Sequence, residues 1–188
     1  ALRTPLEDGE IRIARRDGVA RYPARFQLVL AANPCPCAPT DPRDCVCSPP
    51  QRRRYMGKLS GPLLDRVDLR VQMHTARSGA FAPEASESSA QVRARVANAR
   101  AAAADRWRPY DFTTNAEVSG SVLRRYFRLD TATMAPLRKA LDRGIISIRG
   151  LDRSLRMAWT LADLGGRTVP GVDDVAIALS FRQTGITP

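Results

Sequence analysis

Every cysteine of this chain falls within thirteen residues, Cys35 to Cys47, which read CPCAPTDPRDCVC: two Cys-x-Cys pairs separated by seven residues. No other feature restricts the local fold so tightly. Prolines at 36, 39 and 42 and aspartates at 41 and 44 deny this stretch a helix or a ladder, and it holds too few apolar residues to fold by burial alone. Four thiolates in two close pairs can occupy the corners of a tetrahedron about 2.3 Å from a Zn²⁺, and such a closed four-sulfur site is structural rather than catalytic. An iron–sulfur cluster would take the same ligands, and free or redox-active thiols are the third reading. Disulfides are disfavoured in a reducing compartment and between cysteines only two residues apart. Cys35, Cys37, Cys45 and Cys47 are therefore candidate metal ligands that would clip a long loop.

The chain of 188 residues, 44% hydrophobic, is long enough for one large domain or two small ones. No apolar run approaches the roughly 18 residues of a membrane span, and no signal pattern opens the chain; the expectation is a soluble, cytoplasmic protein without a membrane partner. It starts Ala1-Leu2-Arg3, without Met, in what reads as a helix end followed by strand-like sequence, so a chain beginning mid-domain is expected. A net charge of +11 and a pI near 10.6 favour a polyanionic partner, nucleic acid before nucleotide. The bland reading is an arginine-biased surface, since only Lys58 and Lys139 stand against 28 arginines.

Two regions follow from the patterning. Residues 10–16 (EIRIARR) partly alternate, Asp17-Gly18 is a favoured turn pair, and VARYPARFQLVLAA follows; this predicts a hairpin returning into a core strand. Residues 26–32 (FQLVLAA) are nearly all apolar, as in a strand covered on both faces. At 67–73, Val67, Leu69, Val71 and Met73 alternate with polar residues, predicting a half-exposed strand. His74, a lone histidine on a polar side, reads as exposed. Residues 75–86 (TARSGAFAPEAS) have loop character, and beyond them helical spacing predicts helices from Ser88 or Ser89 to about 107, then near 119–127, 131–143, 148–165 and 172–182. The expected domains are 1–76, a linker at 77–88, and an all-α part at 89–188.

Asn33, directly after the strand-like run, occupies a position where open parallel sheets bind ligands, although an Asn before Pro34 also serves simply to turn the chain. LVLAANPCPC, RRRYMGKLSGPLLDRVDL and ISIRGLDRSLRMAWTLADL, in this order and at these spacings, resemble the magnesium chelatase-like AAA+ ATPases, a family whose bacterial competence branch includes a branch-migration helicase. The chain is similar, more distantly, to the ATPase subunit of magnesium chelatase and to minichromosome maintenance helicases. The paired cysteines favour the competence branch.

The resemblance, which covers essentially the whole chain, implies an α/β fold: the C-terminal part of a P-loop ATPase core, with a hairpin, parallel-sheet strands and a zinc loop, followed by an all-α lid. It implies that Asn33 is sensor 1, that Arg66 is the finger reaching a neighbouring subunit's nucleotide, and that Arg149 is sensor 2, with Arg153 one turn on as its rival. The hairpin tip Arg15-Arg16-Asp17-Gly18 would correspond to a hairpin that touches DNA in a ring's channel, making Arg15 and Arg16 candidate DNA contacts. The implied cofactors are ATP with Mg²⁺ and structural Zn²⁺, and the implied partners are copies of itself in a hexameric ring and branched or single-stranded DNA. The chemistry agrees. A neutral amide can orient an attacking water beside a γ-phosphate without adding negative charge, and an arginine fork matches equatorial phosphate oxygens as lysine does not.

The bland readings are an Arg66 salt bridge to Asp65 or Asp68, a solvated Arg149 or Arg153, and a solvated hairpin turn. No Gly-x-x-x-x-Gly-Lys-Ser/Thr loop and no apolar strand ending in Asp-Glu occurs, so this stretch is not expected to hydrolyse ATP by itself. Two alternatives stand beside the DNA translocase: an ATPase motor subunit of a chelatase-type complex, and a zinc-stabilised basic module that binds nucleic acid without ATP chemistry.

Overall fold

Helix-forming periodicity dominates the chain, and the computed structural model, which describes residues 2–16, 18–73 and 87–183, is correspondingly mostly helical with one small sheet. It divides into two units at Val67/Asp68. The expected linker at 77–88 falls largely on residues 74–86, and these, with His74, Asp17 and the chain ends, lie outside the described residues.

In the first unit α1 (Arg3–Asp8) ends at Gly9, whose φ of 67° closes the helix in the left-handed region. β1 (Glu10–Arg15) and β2 (Gly18–Pro23) then form an antiparallel hairpin in register from Glu10 opposite Pro23 to Arg15 opposite Gly18. Its faces are largely solvated: Ile11, Ile13, Val19 and Tyr22 are all exposed. α2 (Pro49–Met56) and α3 (Gly61–Leu64) follow the cysteine loop.

The parallel-sheet strands expected at 26–32 and 67–73 are not formed, which corrects the sequence reading. Both runs lack strand partners among the described residues. The physical reason is that a strand's hydrogen bonds come only from a neighbour, so an apolar run without one has nothing to pair with. Phe26, Val29 and Leu30 stay exposed, as do Leu69, Val71 and Met73. Arg70 N–H donates instead to Phe181 C=O at 3.0 Å.

The second unit holds the core. α4 (Ser89–Trp107), α5 (Gly120–Tyr126), α6 (Thr131–Asp142), α7 (Ile148–Leu164) and α8 (Val172–Gln183) match the predicted helices to within a residue or so. Side-chain oxygens of Ser88, Ser119, Asp130 and Ser147 cap the first four. α7 buries Leu151, Leu155, Ala158, Trp159 and Ala162, the stripe a helix presents at spacings of three and four. Trp107 and Leu137 are fully buried, and the rings of Trp107 and Phe127 meet edge-on at 4.4 Å between centroids.

A polar network is sealed into this core. Trp107 Nε1 donates to Asn115 Oδ1 at 2.7 Å, Asn115 Nδ2 donates to Asp163 Oδ2 at 2.9 Å and to Thr160 Oγ1 at 3.0 Å, and Arg106 forks onto the Asp163 carboxylate over the Trp159 ring. The polar groups of Trp107, Asn115, Asp163 and Arg106 are thereby answered, as a low-dielectric interior demands, whereas the buried Trp159 Nε1 and Ser154 hydroxyl have no hydrogen-bond partner among the described residues.

Candidate metal centre

Proline restriction and one left-handed residue wrap the cysteine loop. Ala38, with φ of 46°, follows the first pair and donates its N–H to Cys35 C=O at 3.3 Å; a left-handed alanine costs roughly 1 kcal/mol, so something must hold the knuckle. Asp41 and Arg43 pair at 2.6 Å over a short 3₁₀ turn, Pro42–Asp44, which turns the chain back. Cys45 and Cys47 thereby return to Cys35, which is 2% exposed.

The four Sγ atoms lie within 4.8 Å of one another. Cys35 is 3.4 Å from Cys37, Cys37 is 3.8 Å from Cys45 and Cys45 is 3.5 Å from Cys35. These separations exceed any S–S bond and approach the edge of about 3.8 Å that a tetrahedron with 2.3 Å metal–sulfur bonds requires. The donor set therefore fits a metal ion. Hydrogen bonds from Cys47 and then Cys35 hold the Cys37 thiol down at about 7. Cys47 is pushed up to about 11, first by its bond with Cys37 and then by burial, and burial raises Cys35. A bound cation would favour loss of the thiol protons.

The other sequence-derived candidates divide between the units. Asn33 is exposed two residues before Cys35, outside any strand or helix. Arg66 sits just after α3 with only 15% of its side chain exposed. Its Nε donates to Glu7 Oε2 at 3.1 Å, with a second bond from the same fork, and Nη1 donates to Pro62 C=O at 2.6 Å. Its partner is thus Glu7, not Asp65 or Asp68. Arg15 ends β1 and Arg16 opens the turn, both exposed.

In the second unit Arg149 lies in the first turn of α7, and Arg153, one turn on, is ion-paired to Asp68 with 14% of its side chain exposed. Glu7 was missed by sequence reasoning and Asp68 was weighed as a partner of Arg66 rather than of Arg153, because the actual partners are 59 and 85 residues away and no local pattern links them. The Ser48–Gln51 capping box that starts α2 was missed as well, although Ser-x-x-Gln is its local signal.

Residues 1–81 match the model of magnesium chelatase, subunit ChlI, and residues 86–182 match that of the ChlI C-terminal region. An uncharacterized protein of Mycobacterium tuberculosis, Rv2897c, is 74% identical over 98% of this chain and 37% of its own length. Competence protein ComM of Haemophilus influenzae is 36% identical over 97% of this chain and 35% of its own length. YifB of Escherichia coli is 34% identical over 97% and 36%. The chain thus spans little more than a third of these relatives, and it belongs to the magnesium chelatase-like family.

Proposed function

We propose that this chain supplies sensor 1, the arginine finger and the lid of an AAA+ ATPase which, when whole, works as a homo-hexameric, ATP-driven DNA translocase of the branch-migration type. The observation that carries this reading is family membership extending over both units, with Arg66 on a short turn where a guanidinium is held ready by Glu7 and the Pro62 carbonyl. In this role Asn33 orients the attacking water beside Mg²⁺-bound ATP, Arg66 reaches the neighbouring protomer's γ-phosphate, and Arg149 or Arg153 contacts the nucleotide from the lid. The work of such residues is positioning and charge stabilisation, as phosphoryl transfer needs little covalent help. The resemblance to a competence protein favours DNA over a protein substrate.

The four cysteines fit Zn²⁺, which would supply folding energy to the loop and no step of hydrolysis. A second reading, the ATPase motor of a chelatase-type complex, is favoured by the description of the matching family. In the whole protein Arg66→Ala should leave nucleotide binding nearly intact and cut turnover on the order of 10³-fold. Mixed into wild type at a low ratio, it should depress activity beyond its share, because each altered subunit disables a neighbour's site. Additive mixing would place Arg66 outside a subunit interface. DNA-stimulated turnover separates the two motors, since only the translocase should show it.

A further inference from the structure

Residues 52–58, RRRYMGK, carry four cations, and no acidic residue occurs from Cys45 through Leu64. α2 holds Arg52, Arg53 and Arg54, and Lys58 follows one residue after its cap at Gly57. All four are exposed, and none has an acidic partner among the described residues. Arg12, Arg43, Arg66, Arg95, Arg106 and Arg153 each face a carboxylate; other exposed arginines, such as Arg21 and Arg93, also have none among the described residues, and what sets α2 apart is three of them in succession. We infer that α2 and the turn after it form a phosphate-backbone contact surface for nucleic acid, aimed by the cysteine cluster at its base.

Helical geometry gives that surface a face. Tyr55 and Met56 are half-buried, so they define the inner side of α2. At 100° per residue Arg53 and Arg54 point away from that side, whereas Arg52 projects onto it yet stays exposed, and beyond the end of the helix Lys58 holds its Nζ 5.8 Å over the Tyr55 ring. Arg52, Arg53 and Arg54 are consecutive, and no carboxylate offsets their like charges among the described residues. Two of the arginines favour the negative C-terminal end of the helix, but that end does not call for four cations. A chain of phosphates does: arginine forks take phosphate oxygens in pairs, and closely spaced negative charges offset the repulsion.

A tetrathiolate metal centre also carries net negative charge, yet it does not account for the patch. Cys47 adjoins the N-terminal end of α2, whereas Arg53 and Arg54 lie in its last turn. The cluster's contribution is aim. One residue, Ser48, separates Cys47 from Pro49, and Ser48 and Gln51 lock the first turn through reciprocal bonds of 2.8 and 3.4 Å. With so little slack, fixing Cys47 fixes the direction of α2. Because the contacts are to phosphate, the surface reads no base sequence.

This inference rests on the proposal that the protein acts on DNA, and the experiment separates the two. Binding of the whole protein to fluorescent single-stranded and duplex DNA of mixed sequence is measured across a salt series for wild type, R53A/R54A/K58A, R53K/R54K and R15A/R16A. The triple variant should lose affinity for every sequence alike and flatten the salt slope by about two to three units, close to one per lost contact. The lysine variant should keep most of the slope, and metal content should be unchanged in both. Metal removed by chelation should weaken wild-type binding and have little further effect on the triple variant. A wild-type slope in R53A/R54A/K58A, with flattening only in R15A/R16A, overturns the α2 surface and leaves the DNA reading standing. Wild type that binds no DNA at low salt overturns both.

Discussion

At the scale of single residues, Cys45 is the most informative. It lies 3.8 Å from Cys37 and 3.5 Å from Cys35, so its loss opens the thiol set at its centre. Cys45→Ser should release about one equivalent of zinc per chain and lower the melting temperature, since binding energy at such a site is folding energy. Elemental analysis with thiol titration checks this; four freely titrating thiols and no zinc in the native protein would end the metal reading. The cysteine constellation was legible in the sequence because spacing alone brings two Cys-x-Cys pairs within reach of one ion. Arg66 was legible as a special arginine only through the motif around it. That Glu7 grips it was not, because an ion pair spanning 59 residues is decided by how the chain packs.

At the scale of elements, the helices after residue 88 could be read because a stripe such as Leu151, Leu155, Ala158 and Trp159 encodes both period and burial. FQLVLAA could be read only as a strand in want of neighbours; its composition is local, but its hydrogen bonds are not. The caps add a pH dependence. Asp130 accepts from the Thr133 hydroxyl at 2.6 Å and from its N–H at 2.9 Å, which holds its carboxyl below the ordinary 3.8. Glu117 is held below its ordinary 4.5 by bonds from Thr113 and Thr114. A depressed folded-state pKa means stability that is fully present above the unfolded value and lost as pH falls through the folded one. The second unit should therefore weaken progressively below about pH 4 to 4.5, the ordinary carboxylate range. In Asp130→Asn, which keeps a capping acceptor, that acid sensitivity should shrink while stability at pH 7 changes little. Circular dichroism melts at pH 3 and pH 7 measure both, and an undiminished acid loss would exclude Asp130 as a source.

At the scale of the whole molecule, the two units draw on different sources of stability. The second has a continuous core around Trp107, Leu137 and Trp159, whereas buried side chains in the first are few, Cys35 and Leu64 among them. Chelation should consequently loosen the first unit and spare the second: hydrogen exchange should accelerate at residues 34–60 while α4–α8 stay protected. A single transition shifting as a whole would show that the units unfold together. The uncovered run at 26–32 has a consequence of another kind. It contains neither charge nor proline and is apolar at six of its seven positions, a profile that favours stacking with copies of itself into cross-β aggregates. With Val29 81% exposed, solubility during expression should hinge on how soon that edge is covered, and a charge placed at Val29 would act as a gatekeeper against fibril growth.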